Sequence, residues 1–201
     1  MREAVNINID DAVLVKQFQQ GDSSAIETLI LKYQDRIYNA ILKICGNTDD
    51  AAELTQDTFV KVIEKIEQFE GRSSFYTWVF RIAVNLTLNY CKRGIKLRLK
   101  SLEAEGHEEN GQAKGVLKEL LSDDSSPEPA TIAANKELYR IVLRALMRLD
   151  DSQRTVVILR DIEGMNYSQI AKVCDLELGT VKSKLSRARS RLREILEAFS
   201  R

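Results

Sequence analysis

The stretch SQIAKVCDLELGTVKSKLSRARSRLRE, residues 168–194, decides how this chain is read. Between Leu178 and Arg193 it holds no acidic residue and six basic ones: Lys182, Lys184, Arg187, Arg189, Arg191 and Arg193. The whole 201-residue chain has formal net charge zero, with 30 Lys and Arg against 30 Asp and Glu. Positive charge is thus gathered here against a balanced background. Beneath it runs a helical apolar pattern. Asn166 caps a helix through the Gln169 amide, and the Gln169 side chain reaches back to close a capping box. Ile170, Ala171 and Cys174 face inward, with Ala171 small where two helices cross. Asp175 to Gly179 is read as a turn, with the last helix starting near Thr180. Its apolar face is Val181, Leu185, Ala188, Leu192, Ile195 and Phe199. This is a helix-turn-helix, whose second helix enters the major groove of DNA.

The charges on that helix divide by position. Thr180, Lys182, Ser183, Ser186, Arg187 and Ser190 lie early and off the apolar face, where side chains reach base edges and Lys or Arg pairs with guanine. The later arginines suit phosphates. A run of charge is most often a solvated helix face; the lack of balancing acids favours DNA here.

Upstream, Ile132 to Leu149 keeps helical spacing through Leu138, Ile141, Val142, Ala145 and Leu149. Asp151 opens a further helix that stops at Gly164. Gly94 to about Pro129 breaks the pattern. Between Ser101 and Pro129 acids outnumber bases eight to two, and both prolines of the chain, Pro127 and Pro129, fall there. It reads as a linker, with at most a helical turn at Val116 to Leu121.

The N-terminal part is helical again. Asp10 to Gln20 forms a short helix. Ser24 to Glu27 fits a capping box for a long one, carrying Ile26, Leu29, Ile30, Tyr33, Ile37, Ala40, Ile41 and Ile44. Asp49 to Ile66 is a third, with Ala52, Phe59, Ile63 and Ile66 as its apolar side and acids in its first turns, where the helix dipole favours them. After the loop Glu70 to Ser73 comes a fourth, with Phe75, Trp78, Ile82, Leu86 and Tyr90 on one face. The expected fold is all-α: a helical domain over 1–94, an acidic linker over 95–129 and a helix-turn-helix domain over 130–201.

Composition excludes several classes. No stretch approaches the ~20 apolar residues of a membrane span, and the N-terminus lacks a secretory core. Cys45, Cys91 and Cys174 are far apart without a CxxC, as in reduced, mostly buried thiols of a cytoplasmic protein. His107 is the single histidine and sits in a polar stretch, so no metal site is expected. No phosphate loop, nucleophile elbow or acid–base constellation occurs; neither catalysis nor a cofactor is expected.

Three motifs carry a family resemblance. The first is Leu149-Asp-Asp-Ser-Gln-Arg154 through Gly164, with Tyr167-Ser-Gln-Ile-Ala171 and Gly179-Thr-Val-Lys-Ser183. The second is Asp50-Ala-Ala-Glu53-Leu-Thr-Gln56-Asp-Thr-Phe59, and the third Gly71-Arg-Ser-Ser-Phe75-Tyr-Thr-Trp78-Val-Phe-Arg81-Ile-Ala-Val-Asn85. In this order and spacing they resemble the extracytoplasmic-function (ECF) group of bacterial RNA polymerase sigma factors, over about Asp22 to Arg93 and Glu128 to Leu196.

The resemblance implies a promoter-specificity subunit of RNA polymerase. Asp50, Glu53, Gln56 and Asp57 would grip the β′ clamp helices. Phe69, Glu70, Gly71 and Arg72 would form a loop that captures a flipped base of the −10 element, with Asn85 beside it, while Arg81, Lys92 and Arg93 would line the DNA backbone path. Read from the sequence alone, Phe69 could instead fold back onto the core, and Trp78 reads as core. Thr180, Lys182, Ser183, Ser186, Arg187 and Ser190 would read the −35 element. The linker and C-terminal domain would meet other core surfaces, the linker's carboxylates mimicking RNA phosphates, and an anti-sigma factor is an implied partner. Two residues depart from the family: Asp175 stands where Gly is preferred, and Glu177 where Pro is common.

Two rivals remain. A repressor or activator with a helix-turn-helix needs neither the clamp motif nor the melting motif. A helical adaptor that binds no DNA leaves the basic helix unexplained.

Overall fold

The structure, a computed structural model, describes residues 10–102 and 140–199, and every described element is helical. The linker beyond residue 102, the proposed turn at Val116 to Leu121 and the start of the helix at Ile132 lie outside the described residues.

The first half is built from four helices. Helix α1 (Asp11–Gln19) is capped by the Asp10 carboxylate, which accepts from the Ala12 amide. Helix α2 (Ser23–Cys45) is not opened by Ser24 and Glu27. Asp22 is its cap, accepting from the amide and hydroxyl of Ser24, and these bonds hold its carboxyl below the usual range. An aspartate one residue before the first turn outcompetes the capping box, because its carboxylate reaches the same orphan amides at full charge. Gly46 ends α2 at φ 75°, left-handed backbone that a Cβ disfavours.

Helix α3 (Thr48–Lys65) is capped by Asn47, whose side chain accepts from the Asp49 and Asp50 amides. Its buried side is Ala51, Leu54, Thr58, Phe59 and Val62. Of the expected apolar side, Phe59 and Ile66 are buried, but Ala52 is exposed and Ile63 is 46% exposed. Thr58 looks polar but is buried, because its hydroxyl donates to the Leu54 carbonyl at 2.7 Å. A 3₁₀ turn, Ile66–Gln68, leads to the loop before helix α4 (Phe75–Leu102). Helix α4 continues past Arg93 into the stretch read as linker. Its buried side, Phe75, Val79, Phe80, Ala83, Val84 and Thr87, is wider than the single face expected; Trp78, Ile82, Leu86 and Tyr90 are half-buried. The reason is that α4 is covered twice, by α2 and α3 and by the C-terminal half.

The second half begins with helix α5 (140–147). Helix α6 (Asp151–Val157), capped by Asp150, runs into a π turn, Ile158–Ile162. Helix α7 (Tyr167–Cys174) has the expected capping box, with Asn166 and Gln169 exchanging bonds of 2.9 Å. Helix α8 (Leu178–Phe199) starts two residues before Thr180, so Gly179 lies in its first turn rather than in the connection. Val181, Leu185, Ala188 and Ile195 are buried and Leu192 half-buried; the Phe199 side chain lies outside the described residues. Between α7 and α8, Asp175 takes φ 54° and ψ 52°, left-handed backbone costing a non-glycine residue roughly 1 kcal/mol.

The two halves share one apolar core. Each large aliphatic fully enclosed in it, such as Leu29, Ile37, Ile41, Ile158 or Leu159, contributes about 1.5–3 kcal/mol of transfer free energy. Arg154 is buried where the halves meet. Its Nε donates to the Leu146 carbonyl at 3.0 Å and its Nη2 to Leu149 at 2.8 Å; Nη1 reaches the Ile44 carbonyl in the last turn of α2, and Asp151 lies at 3.2 Å. The guanidinium thus bonds to carbonyls in the last turn of α2, in the last turn of α5 and just after it. Arg154→Ala removes these buried bonds. We expect a loss of about 3 kcal/mol and a fall in Tm of roughly 10 °C, read by circular dichroism melting. A fall of under 2 °C would show that water replaces the guanidinium without cost.

The cysteines are free and half-buried, less enclosed than the sequence suggested. Burial still pushes their thiols up, Cys45 to about 11 and Cys91 and Cys174 to about 12, so they stay protonated at neutral pH. Among the described residues there is no cluster of three or more potential metal ligands, and no helix long and apolar enough to cross a membrane.

Candidate nucleic-acid interface

The recognition face stands on α8. Thr180, Lys182, Ser183, Ser186, Arg187 and Ser190 are all exposed, as the buried stripe of Val181, Leu185 and Ala188 requires. The six bases are not equivalent. Lys184 turns inward and donates to the Ser152 hydroxyl at 2.8 Å. Arg189 is paired with Asp161 of the π turn, and Arg191 with Glu194 one turn on. Lys182, Arg187 and Arg193 have no acidic partner among the described residues. Two of the six are therefore paired with acids and one is turned inward to a hydroxyl, which leaves three exposed and without acidic partners among the described residues on the outward face.

A second basic stripe lies on α4. Arg81, Asn85 and Lys92 are exposed and separated by four and seven residues, the spacing that aligns side chains on one helix face. The loop before α4 is held from two sides. Gln19 of α1, a residue that the sequence did not single out, donates to the carbonyls of Ile66 at 2.8 Å and Phe69 at 3.3 Å. No sequence signal marks it, since its partners are main-chain oxygens far along the chain. The Phe69 ring is folded back, 5.0 Å from Trp78 and edge-on to Phe75 at 6.2 Å between centroids. Glu70 and Arg72 pair across Gly71, whose φ of 71° lets the loop reverse, and all three are exposed. Trp78 is half-buried in this aromatic cluster, in line with a core role.

A third face, on α3, is acidic. Glu53, Gln56 and Asp57 are exposed at mutual spacings of three and four and so share one side, continued by Val60, which is 51% exposed. Asp50 differs from the other three. It is half-buried, and its carboxylate, after burial itself, helps to push the Tyr90 phenol up.

Among the described residues, a basic helix-turn-helix and a second basic stripe mark a DNA-binding protein, and a separate acidic face stands on α3. Comparison with known proteins specifies the class. Residues 29–94 match the Sigma-70 region 2 family, and residues 139–192 match the Sigma-70, region 4 family. The chain is 34% identical to the ECF RNA polymerase sigma-E factor of Escherichia coli (strain K12) over 185 residues, covering 90% of this chain and 91% of that protein. It is equally identical to the sigma-E factor of Haemophilus influenzae over 182 residues, covering 90% and 92%. Two solved structures share the fold at 24% identity. CnrH in complex with the cytosolic domain of CnrY has a TM-score of 0.65, with 94% and 97% of the chains covered. The sigma factor RpoE in complex with the anti-sigma factor NepR from Bartonella quintana has 0.63, with 85% and 96% covered. The chain belongs to the ECF group of the sigma-70 family. It is a promoter-specificity subunit of RNA polymerase and acts in transcription initiation.

Proposed function

We propose that the two basic faces read the two promoter elements and that the acidic face of α3 docks on the β′ clamp helices. The observation that carries this is the separation of the three faces: −35 reading by α8, −10 reading by α4 with its preceding loop, and polymerase docking by α3, none overlapping another. In the −35 face, Lys182 and Arg187 contact base edges, while Thr180, Ser183, Ser186 and Ser190 contribute hydroxyls to bases or phosphates. In the −10 face, Arg81, Asn85 and Lys92 follow the DNA backbone, and Phe69, Glu70, Gly71 and Arg72 receive an unstacked base. Capture requires Phe69 to leave Trp78 and Phe75. Unstacking a base costs a few kcal/mol, and stacking on an aromatic ring returns about 1–3 kcal/mol. Glu53, Gln56 and Asp57 lead the docking on the clamp, while Asp50 supports them through Tyr90.

Domain limits of 1–94, 95–129 and 130–201 fit this division, with other core surfaces meeting the linker and the C-terminal domain. The chain carries out no reaction of its own and works in the cytoplasm, where core polymerase and promoter DNA are. An anti-sigma factor is the expected regulatory partner, the kind of partner named for the Bartonella quintana relative.

The test is run-off transcription from a matched promoter, with and without core polymerase. Transcript is expected only when chain and core are both present. A transcript level unchanged by the chain would leave a conventional regulator as the better reading. A related expectation concerns the chain alone. With net charge zero and its positive charge confined to patches, it should bind duplex DNA weakly, with little sequence preference and a steep loss with salt from counterion release. Tight, salt-insensitive, sequence-specific binding in a filter or anisotropy assay would contradict it.

A further inference from the structure

Helix α1 reaches the loop before α4 through two side chains. At its C-terminal end, Gln19 donates from its carboxamide nitrogen to the Ile66 carbonyl at 2.8 Å and the Phe69 carbonyl at 3.3 Å, with the Glu67 carbonyl at 3.5 Å. That nitrogen has two hydrogens, which the two shorter bonds use. Ile66 ends α3, where carbonyls lack helical partners, and its oxygen also accepts from the Phe69 amide at 3.1 Å. At the N-terminal end, Asp11 pairs with Lys32 at 2.7 Å and accepts from the Tyr33 hydroxyl. The Tyr33 ring lies 5.7 Å from Phe75, which lies 5.7 Å from Trp78. Phe75 and Trp78 are the rings on which Phe69 rests.

The helix that carries Gln19 is itself fixed. Leu14 and Val15 are buried, and α1 packs on the turn Ile66–Gln68. The far end of the loop is held as well, by the Ser74 hydroxyl accepting from the Thr77 amide at 3.2 Å in the first turn of α4. The anchors thus stand at Phe69 and Ser74, with Glu70 to Ser73 between them. Gln19 bonds the main chain of Phe69, whereas the ring is held by packing.

We propose that Gln19 is a positioning residue for base capture: it fixes the Phe69 main chain, so that the ring leaves Trp78 by side-chain rotation while the loop keeps its course. This rests on the reading of Phe69 to Arg72 as the loop that receives an unstacked base. The gain is entropic. A loop ordered in advance loses little backbone freedom when the base arrives, and without Gln19 that cost falls on the binding step. Tyr33, tied to α1 by Asp11, keeps Phe75 and Trp78 in place as the floor of the vacated space.

The experiment uses holoenzyme reconstituted from core polymerase and the full chain, as wild type, Gln19→Met, Phe69→Leu and the double variant. Methionine keeps the length of glutamine and removes its donors. Gln19 is exposed, and thermal melting checks that each variant folds. Gln19→Glu, of the same shape with acceptors in place of donors, is a second variant and is expected to lose at least as much. The DNA is a promoter that the wild-type holoenzyme transcribes, with 2-aminopurine replacing a −10 adenine, so that fluorescence reports unstacking. Gln19→Met is expected to lower the opening equilibrium about fivefold, the factor of one hydrogen bond of ordinary net strength. Affinity for a duplex that carries the −35 element and stops short of −10 is expected to stay unchanged. In the Phe69→Leu background Gln19→Met is expected to add nothing, because both act on one event. A further readout needs no DNA: in the free chain, the Phe69 amide is expected to exchange its hydrogen about fivefold faster in Gln19→Met, with α8 unaffected.

Normal opening by Gln19→Met beside impaired opening by Phe69→Leu overturns the proposal, as does an additive double variant. An equal loss on the −35 duplex overturns it by showing a general defect. Normal opening by Phe69→Leu overturns it from the other side: with faster exchange in Gln19→Met, the anchor is real and the fault lies in the reading of the loop.

Discussion

Glu53→Arg is expected to abolish assembly with core polymerase while leaving the fold intact. Glu53 points to solvent from α3 and has no ion pair among the described residues, so the substitution removes no packing and no buried bond. Surface changes of that kind stay within about 0.5 kcal/mol of neutral. At a docked interface the same change replaces attraction with like-charge repulsion worth several kcal/mol, enough to shift an affinity by more than a hundredfold. Asp57→Arg should act the same way with one difference: Asp57 faces Lys61, so the new arginine also repels a neighbour on its own helix. Asp50→Arg should behave otherwise, lowering stability as well as assembly, because Asp50 is half-buried and a larger, charged side chain must be accommodated there. Co-purification with tagged core, beside melting temperatures, separates these outcomes. Normal co-purification of Glu53→Arg at unchanged Tm would show that this face has another partner.

The reading of α3 also shows where sequence periodicity stops being informative. The helix has apolar residues on more than one side. Ala51 and Ala52 are adjacent, and Phe59 fits either phase. Thr58 is polar by type, although its hydroxyl is satisfied within the helix and the side chain is buried. The exposed Val60 and Ile63 pull the apparent apolar face away from the buried one. The helix-turn-helix was legible for the opposite reason. Its capping box is local, its apolar stripe is unambiguous, and the left-handed Asp175 follows from the turn between two fixed helices. What no local pattern could reveal was the joint between the halves. Lys43, Arg154 and Glu163 look like ordinary surface charges in the sequence. Arg154 and Glu163 each take a partner from a helix, or the end of one, more than a hundred positions away. The basic run was legible as charge, but which three of its six members are engaged at home depended on Ser152, Asp161 and Glu194 being where the fold places them.

That division sharpens the expected behaviour of the recognition helix. Arg187→Ala and Lys182→Ala should differ in kind from Arg193→Ala. With α8 starting at Leu178, Lys182 lies in its second turn and Arg187 in its third, and both face outward without acidic partners among the described residues. Loss of a base contact should cost about 1–3 kcal/mol and relax preference at one −35 position. Arg193 lies about 9 Å further along the axis than Arg187, where a straight helix leaves a curved groove. Its loss should weaken all promoters alike and lower the salt slope by roughly one phosphate. Arg189 and Arg191 provide the contrast, since each is held by an acid and should contribute less than Arg193 to that slope. Lys184→Ala should leave DNA binding unchanged, because its ammonium is spent on Ser152. The measurement is holoenzyme affinity on a panel of −35 variants at several salt concentrations. If Arg193→Ala altered base preference while Arg187→Ala did not, the helix would enter the groove by its other end. The exposed serines at 183, 186 and 190 would then face phosphates rather than bases.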